Sequence, residues 1–374
     1  YMVQTGFYNL SKFRTLGDVE QQKVWNEAKS LYEYVDGDRS LIILLYGIVT
    51  LSLILVFFLI AKSSLKQAYR LECQSKKGEQ ILTLKQELKE LLNGNLHITL
   101  LTFPVLGVLM FTILPLVFMI SMAFTNYSVE GNKLVLFDWV GLENFRKIFD
   151  FGGSLGQTFW SVLGWTMVWA VVATFSNYIL GMLLALFINW KEIRAKKMWR
   201  FCFALTVAIP HFVTLLIIKS MLQPEGAVNI LLRNLGLIGA TQSLPFFTDA
   251  TWARVVVILI NIWVGVPYTL LQVTGILQNI PTELYEAARV DGAGPIVTFM
   301  KITLPYMLFV TTPYLITTFT GNVNNFNVIF LTTEGLPRSV GSTAGKTDLL
   351  ITWLYKLTIE NQYFDVGAVV GIMT

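Results

Sequence analysis

The chain has few of the residues that enzymes and metal proteins use. Its 374 residues include two cysteines, Cys73 and Cys202, and two histidines, His97 and His211. Two cysteines so far apart in the chain predict neither a disulfide framework nor a zinc site. The sequence also has no HExxH or GxSxG arrangement and no set of Ser, His and acid. We therefore expect no catalytic residues, no metal site and no cofactor held by this chain.

Charge is also scarce. Charged residues make up 14% of the chain, apolar residues make up 54%, and the mean hydropathy is +0.58. This composition is typical of a membrane protein and differs from that of a soluble domain. The net charge of +4 is small, and it indicates basic loops around membrane helices rather than a surface that binds nucleic acid.

Long apolar runs predict the membrane spans. A span needs about 20 mostly apolar residues, and six runs qualify, at 41–61, 98–124, 159–189, 201–222, 255–278 and about 302–331. A seventh run begins at Phe364 and is cut short, and one more helix before Tyr1 would bring an intact protein to eight. The sequence therefore predicts an all-α, polytopic transmembrane helical bundle.

Basic residues in the loops predict the orientation of these spans. Loops 62–97 and 190–200 are rich in Lys and Arg, whereas 125–158 and 223–254 carry fewer for their length. The basic loops are therefore expected in the cytosol, and alternation places 279–301 there as well.

The chain is predicted to divide between residues 97 and 98. Residues 1–97 would hold an extracellular segment, one membrane helix and a basic cytosolic helix. That cytosolic helix is amphipathic, because apolar residues recur at helical spacing, namely Ile81, Leu84, Leu88 and Leu91. Residues 98–374 would hold the remaining spans and a cytosolic loop at about 279–303.

Polar residues within two predicted spans mark a candidate pathway. The first span has polar or small residues on one face, namely Asn261, Gly265, Tyr268 and Gln272. The next span has a similar stripe, namely Thr318, Asn322 and Asn325. Such residues face a pathway or a partner helix. Amide and phenol groups suit the hydroxyls of a neutral saccharide, and hydrogen bonding between helices is the alternative interpretation.

The cytosolic loop at 279–303 has the features of a rigid lever. Thr282 is placed to cap a short helix whose acids, Glu283 and Glu286, suit the positive end of the helix dipole. Leu284 shares one face of that helix with two small residues, Ala287 and Ala288. Gly292 and Gly294 permit a turn. Pro305 is then expected at the start of the next membrane helix.

This loop, EAARVDGAGPIVTFMKITLP at 286–305, resembles the coupling loop, or EAA loop, of ABC-importer permeases. The resemblance implies a fold of the type I importer kind. It also implies docking on an ATPase through Glu286, Ala287, Ala288, Asp291 and Gly292. A passive amphipathic linker between membrane helices is the alternative interpretation.

Three further stretches are similar to the larger permease subunit of maltose/maltodextrin importers. They are NIWVGVPY at 261–268, NNF at 324–326 and AGKTDLL at 344–350, and the similarity extends over about residues 98–374. It implies substrate contacts from His211, Asn261, Val264, Gly265, Tyr268, Asn322 and Asn325. The chain departs from some relatives by having no aromatic residue at 207 or 321 and no serine at 211, which leaves the preferred sugar length open.

The resemblance implies a permease subunit in a bacterial cell membrane that forms half of a translocation pathway for maltodextrin-like oligosaccharides. The implied partners are a second homologous permease, two ATP-binding subunits, an extracellular sugar-binding protein, membrane lipid and the oligosaccharide; nucleic acid is not expected. ATP would be bound by those partner subunits, because the GKT at 345–347 has Val340 where a phosphate-binding loop needs glycine. The alternatives are an ABC permease for another solute, such as another oligosaccharide or glycerol phosphate, or a secondary carrier or membrane scaffold.

Overall fold

The computed structural model describes residues 2–26, 31–78, 83, 85–86, 89, 93–190 and 192–374. The predicted amphipathic helix of the first basic loop, with Ile81, Leu84, Leu88 and Leu91, lies outside the described residues. It therefore stays a prediction.

Helices make up most of the described chain. In chain order they are α1 (Met2–Lys12), α2 (Ser40–Lys76), α3 (Leu96–Val108), α4 (Leu114–Met122), α5 (Glu143–Phe149), α6 (Ser154–Asn189), α7 (Lys196–Ala208), α8 (His211–Met221), α9 (Ala227–Asn234), α10 (Ala250–Leu277), α11 (Thr282–Val290), α12 (Pro295–Thr298), α13 (Leu304–Val323), α14 (Phe326–Thr332), α15 (Leu350–Tyr355) and α16 (Phe364–Met373). The chain forms two compact units, one of residues 1–147 with 361–372 and one of residues 148–360 with 373–374. The predicted division at 97/98 stays a prediction.

The spans agree with the predicted all-α membrane bundle. Within the described residues, five helical segments are long and apolar enough to cross a membrane, namely Ser40–Lys76, Leu96–Met122, Ser154–Asn189, Ala250–Leu277 and Pro295–Thr332. The predicted run 201–222 is instead two helices, α7 and α8, bent by 86°. The bend falls at Pro210, because proline has no N–H and forces the preceding residue, Ile209, into an extended conformation (φ −76, ψ 128).

A β-hairpin in the first unit was not predicted from the sequence. Strands β1 (Gln22–Asn26) and β2 (Leu31–Val35) pair antiparallel, with Trp25 opposite Tyr32. Their rings meet edge to face with centroids 4.9 Å apart. β-branched and aromatic residues in both strands favour this pairing.

The first unit is held together by contacts of loops with helix ends. The ring of Phe13 fills the space over Gly47, where an added Cβ would lie 2.1 Å from the ring. Lys12 pairs with Asp38 at 2.7 Å. Asn144, which is fully buried, donates from Nδ2 to the carbonyls of Ala123 (3.0 Å) and of Thr125 (2.6 Å) at the end of α4.

Two membrane helices each contain a π-helical turn just before a Leu-Pro pair. The turns are Leu109–Ile113, before Pro115, and Phe299–Thr303, before Pro305. In each, the leucine before the proline donates its N–H to the carbonyl five residues back, as in Leu304 to Phe299. The wider turn gives the proline ring room that an α-helical carbonyl would occupy.

Pro305 lies in the first turn of α13, as the sequence predicted, but helical backbone also precedes it. The helical segment begins at Pro295, within the loop predicted to be cytosolic, and continues through the π turn into α13. The end of the loop, from Pro295, and the membrane span thus form one continuous helical rod.

Within the second unit, α6 packs closely against α10 along small residues. A Cβ added at Gly181 would lie 2.7 Å from the Thr269 side chain, and one added at Gly265 would lie 2.4 Å from Nδ2 of Asn177. Positions 177 and 181 on α6 thus face 265 and 269 on α10, one helical turn apart on each helix. Small residues at this spacing let membrane helices approach closely.

Candidate functional site

Three asparagines from the predicted stripes meet inside the second unit. Nδ2 of Asn325 lies 3.4 Å from Oδ1 of Asn261 and 3.4 Å from Oδ1 of Asn322. Asn261 and Asn322 are each only 6% exposed. We call Asn261, Asn322 and Asn325 the amide cluster.

The helix geometry of one predicted stripe was wrong. Asn322 and Asn325 were expected on one helix, but α13 ends at Val323 and α14 begins at Phe326. Asn325 is the N-cap of α14, and its Oδ1 accepts the N–H of Val328 at 3.2 Å. Asparagine favours this position because its side chain satisfies a free N–H of the first helical turn. The helix break brings Asn325 to the other two amides.

Helix α6 supplies neighbours of the cluster that the sequence analysis missed. Nδ2 of Asn322 donates to Oγ1 of Thr174 at 2.9 Å, and the backbone carbonyl of Asn322 accepts from Nε1 of Trp169 at 3.0 Å. Asn177, one turn beyond Thr174, is 6% exposed. The rule that identified the other asparagines, polar residues inside an apolar span, applies to Thr174 and Asn177 as well.

Two buried amide atoms in this region have no hydrogen-bond partner. They are Nδ2 of Asn261, a donor, and Oδ1 of Asn177, an acceptor. A buried polar atom left unpaired costs roughly 1–3 kcal/mol. Both atoms are shielded from solvent in this conformation, so a ligand with donors and acceptors must enter the cluster to pair with them.

The other predicted substrate residues take different positions. Gly265 packs against Asn177, so its small size serves the α6–α10 contact. Val264 is partly buried against the core of the unit. Tyr268 is 45% exposed on α10, and His211 is partly buried in the first turn of α8, just after Pro210. In the described part of the chain, no hydrogen bond joins Tyr268 or His211 to the amide cluster.

The predicted lever is helix α11 followed by a glycine turn. The helix begins at Thr282 itself with Pro281 at the N-cap, and no side chain caps it. The prediction that Thr282 caps this helix was therefore wrong, because Pro281 occupies the N-cap position and Thr282 is the first helical residue. At the other end the N–H of Ala293 bonds to the carbonyl of Ala288 (2.8 Å), and that of Gly292 to Arg289 (3.0 Å).

This pair of hydrogen bonds is a Schellman motif, and it requires a left-handed residue at Gly292. Gly292 has φ +75 and nothing within 4 Å of an added Cβ. The prediction that Gly292 adopts a backbone conformation that favours glycine is confirmed.

The two faces of α11 differ. Ala288 is 8% exposed, and the hydroxyl of Tyr285 lies 3.1 Å from Oγ1 of Thr303 in the π turn. These residues attach α11 to the rod that leads to α13. Glu286, Ala287 and Asp291 face outward, near exposed apolar side chains, of which Val290 is 87% exposed. Of the predicted coupling residues, Ala288 thus holds the helix in place and Glu286, Ala287 and Asp291 present a surface.

The GKT at 345–347 is part of a folded loop. The hydroxyl of Thr347 lies 2.8 Å from that of Thr333 and donates to the carbonyl of Leu336 at 2.9 Å. The N–H of Gly345 donates to the buried carboxylate of Asp348 at 2.6 Å. The backbone groups that a phosphate would need are thus engaged within the loop.

A family model described as the binding-protein-dependent transport system inner membrane component matches residues 177–370. This range contains the amide cluster and the α11 lever. The chain belongs to this family. It is accordingly a multi-pass transport permease of the bacterial plasma membrane and not an enzyme.

Two curated relatives cover most of this permease. It is 35% identical to the galactooligosaccharides transport system permease protein GanP of Bacillus subtilis, over 98% of this chain and 87% of that protein. It is 37% identical to the maltodextrin transport system permease protein MdxF of the same organism, over 90% of this chain and 79% of that protein.

A solved structure agrees with the fold. A bacterial ABC transporter that imports the acidic polysaccharide alginate superposes with a TM-score of 0.59 at 22% identity, covering 76% of this chain and 92% of the other. The permease therefore has the all-α architecture of an ABC importer.

Proposed function

We propose that this permease forms half of a translocation pathway for a neutral oligosaccharide of the maltodextrin type, with the amide cluster as part of the sugar site. The observation that carries the proposal is the meeting of three asparagines, two buried and one partly buried, from separate helical segments, together with an unpartnered donor on Asn261. Sugar hydroxyls both donate and accept, so they can pair with amide nitrogens and oxygens.

The charges around the site favour a neutral substrate. Arg254, on the same helix as Asn261, donates from Nε to the carbonyl of Lys346 at 2.9 Å. Its guanidinium also lies 4.5 Å over the ring of Trp165. Among the described residues, no Lys or Arg side chain hydrogen-bonds to the amide cluster. Recognition at the cluster therefore depends on amides.

A galacto-oligosaccharide is the second candidate substrate. The similarity to GanP extends over 98% of this chain, and both sugars are neutral and rich in hydroxyls. The predicted contacts from Val264, Gly265, Tyr268 and His211 would then determine which sugar is preferred.

We also propose that α11 couples the pathway to an ATPase partner. The exposed face with Glu286 and Ala287 would dock on that partner. The Tyr285–Thr303 contact and the continuous helix from Pro295 would pass its movement to α13, whose last turn holds Asn322. The full importer would contain a second permease, two ATP-binding subunits and an extracellular sugar-binding protein.

The sugar site is tested by uptake into proteoliposomes that contain the full complex. Asn325→Ser keeps a good N-cap for α14 but removes the amide, so uptake should fall about fivefold for each hydrogen bond of about 1 kcal/mol that is lost. Asn261→Ala should lower uptake as well. Asn324→Ala is the matched control, because the Asn324 side chain is exposed and, among the described residues, it donates only to the carbonyl of Thr320.

Maltodextrins and galacto-oligosaccharides, each with its own binding protein, should be compared in the same assay. Uptake of both sugars at the parental rate by Asn325→Ser and Asn261→Ala, with normal assembly, would mean that the cluster serves only helix packing.

The coupling role is tested by ATP hydrolysis in the same complex. Glu286→Lys should abolish stimulation by the sugar-loaded binding protein, because it reverses a charge on the proposed contact surface. Glu283→Lys makes the same charge change one turn earlier on α11 and is the control. If both variants respond like the parent, α11 is a passive linker.

A further inference from the structure

An apolar cavity in the second unit, open to the surface of this chain, belongs to neither proposed site. It lies among α6, α7 and α10 and has a volume of about 620 Å³. Its lining includes Leu183, Phe187, Phe203, Thr206 and Trp263. Trp263 is 70% exposed and Phe187 60%, whereas Phe203 is partly buried. Within a bilayer, such a cavity is occupied by apolar groups of a lipid or of another protein segment.

Cations gather at the end of α7 that leads to this cavity. The segment from Arg194 to Arg200 also contains Lys196 and Lys197. In the described ranges, none of these four side chains takes part in an ion pair. Lys196 donates to the carbonyl of Asn189 at 2.9 Å, which leaves its charge without a compensating carboxylate.

The first turn of α7 adds to this positive potential. Its N-cap, Ala195, has φ 57, and no side chain caps the helix. Free N–H groups and the helix dipole make such an end attractive to phosphate. Arg200 donates to Oδ1 of Asn189, while its own Nε is buried without a partner.

One of these cations, Lys196, lies on the same face of α7 as the cavity residues Phe203 and Thr206. Residues 196, 199, 203 and 206 recur at helical spacing, so about 10 Å of helix separates the first turn from Phe203. Trp190 and Trp199 are exposed beside the basic segment. Tryptophan is enriched at the level of lipid headgroups.

We propose that this region binds one anionic phospholipid. The phosphate lies at the first turn of α7 among Arg194, Lys196 and Lys197, and one acyl chain runs along α7 into the cavity beside Phe203. Basic pockets between membrane helices on the cytosolic side bind acidic headgroups in the same way. The uncompensated positive charge at the mouth of the cavity favours a lipid over an apolar helix of the second permease.

The test is lipid binding to the purified complex by native mass spectrometry, with phosphatidylglycerol and phosphatidylcholine titrated separately. The parental protein should bind phosphatidylglycerol more tightly. Arg194→Gln with Lys197→Gln removes two exposed cations and should weaken phosphatidylglycerol binding at least tenfold. The matched control, Lys66→Gln with Arg70→Gln, removes two exposed cations from α2, far along the chain from the cavity, and should leave binding unchanged.

A second variant tests whether an acyl chain occupies the cavity. Thr206→Phe fills the cavity and leaves every charge in place, so it should weaken the binding of both lipids. If this variant does not fold, Leu183→Trp fills the cavity from the other helix and serves the same purpose. Equal binding of the two lipids by the parent, or unchanged binding in the filled variants, would overturn the proposal. A photo-crosslinker at Leu183 should give a lipid adduct. A protein adduct with the second permease would show that a helix occupies the cavity instead.

Discussion

Breaking the buried ion pair between Asp348 and Lys356 should strongly destabilise the second unit. Nζ and Oδ2 are 2.7 Å apart, and the two side chains are 0% and 6% exposed. Oδ2 also accepts the N–H of Gly345 (2.6 Å), and Oδ1 accepts the hydroxyl of Thr352 (2.9 Å). Lys356 donates to the carbonyl of Glu334 at 2.8 Å. The pair thus ties the loop between α14 and α15 to the helix that follows it.

The size of the effect follows from burial. Asp348→Asn leaves an ammonium buried without a carboxylate, and Lys356→Met leaves a carboxylate buried without its cation. Removing one partner of a buried pair costs about 3–5 kcal/mol. The double variant leaves no buried charge, so it should recover part of this loss, with a coupling energy of about 1–3 kcal/mol.

The measurement is SDS-induced unfolding of the four proteins of this double-mutant cycle in detergent. Glu334→Gln is the control, because Glu334 pairs with Lys219 but its side chain is 57% exposed. Exposed pairs contribute about 0–1 kcal/mol. Single variants that each cost less than about 1 kcal/mol, with additive effects, would refute the argument from burial.

Three further predictions follow from the helices. Gly181→Leu should lower the melting temperature in detergent, because a Cβ there would lie 2.7 Å from an α10 side chain and overpacking costs about 1–3 kcal/mol. Gly164→Leu is the control on the same helix. It should leave the melting temperature unchanged, because nothing lies within 4 Å of a Cβ added at Gly164. Gly292→Ala should weaken stimulated ATP hydrolysis, Gly292→Asn should weaken it less, and Gly292→Pro should abolish it. The reason is that placing an ordinary residue at φ +75 destabilises the turn by roughly 1–2 kcal/mol. Equal hydrolysis rates in all three variants would contradict this. In a background without native cysteines, Val290→Cys should react only with reagents that reach the cytosol and Thr241→Cys with reagents outside; the reverse labelling would contradict the topology.

Much of the architecture could be predicted because it depends on local properties of the chain. The apolar runs at 41–61, 159–189 and 255–278 each correspond to a helix that is long enough to cross a membrane. The bilayer requires such runs to be helical and about 20 residues long. The same applies to Gly292, where the residue type and the end of a short helix indicated a left-handed turn.

The composition of the candidate site was harder to predict because it depends on contacts between distant residues. Trp169 and Asn322 are hydrogen-bonded although 153 positions separate them. Asn325 joins the cluster only because α13 ends at Val323, a break that helical spacing alone did not indicate. The packing role of Gly265 is likewise visible only once Asn177 lies opposite it.

By itself, the sequence determined that this is an all-α membrane protein with a glycine turn at the end of a short helix between two spans, since hydropathy, span length and glycine geometry act over one segment at a time. Only the tertiary structure decided which side of α11 is free, where Ala288 is buried and Glu286 exposed. It also decided that one helical rod runs from Pro295 into the predicted membrane span and that three asparagines form a cluster. These features depend on which helix faces pack together, and packing is a property of pairs of segments rather than of any single one.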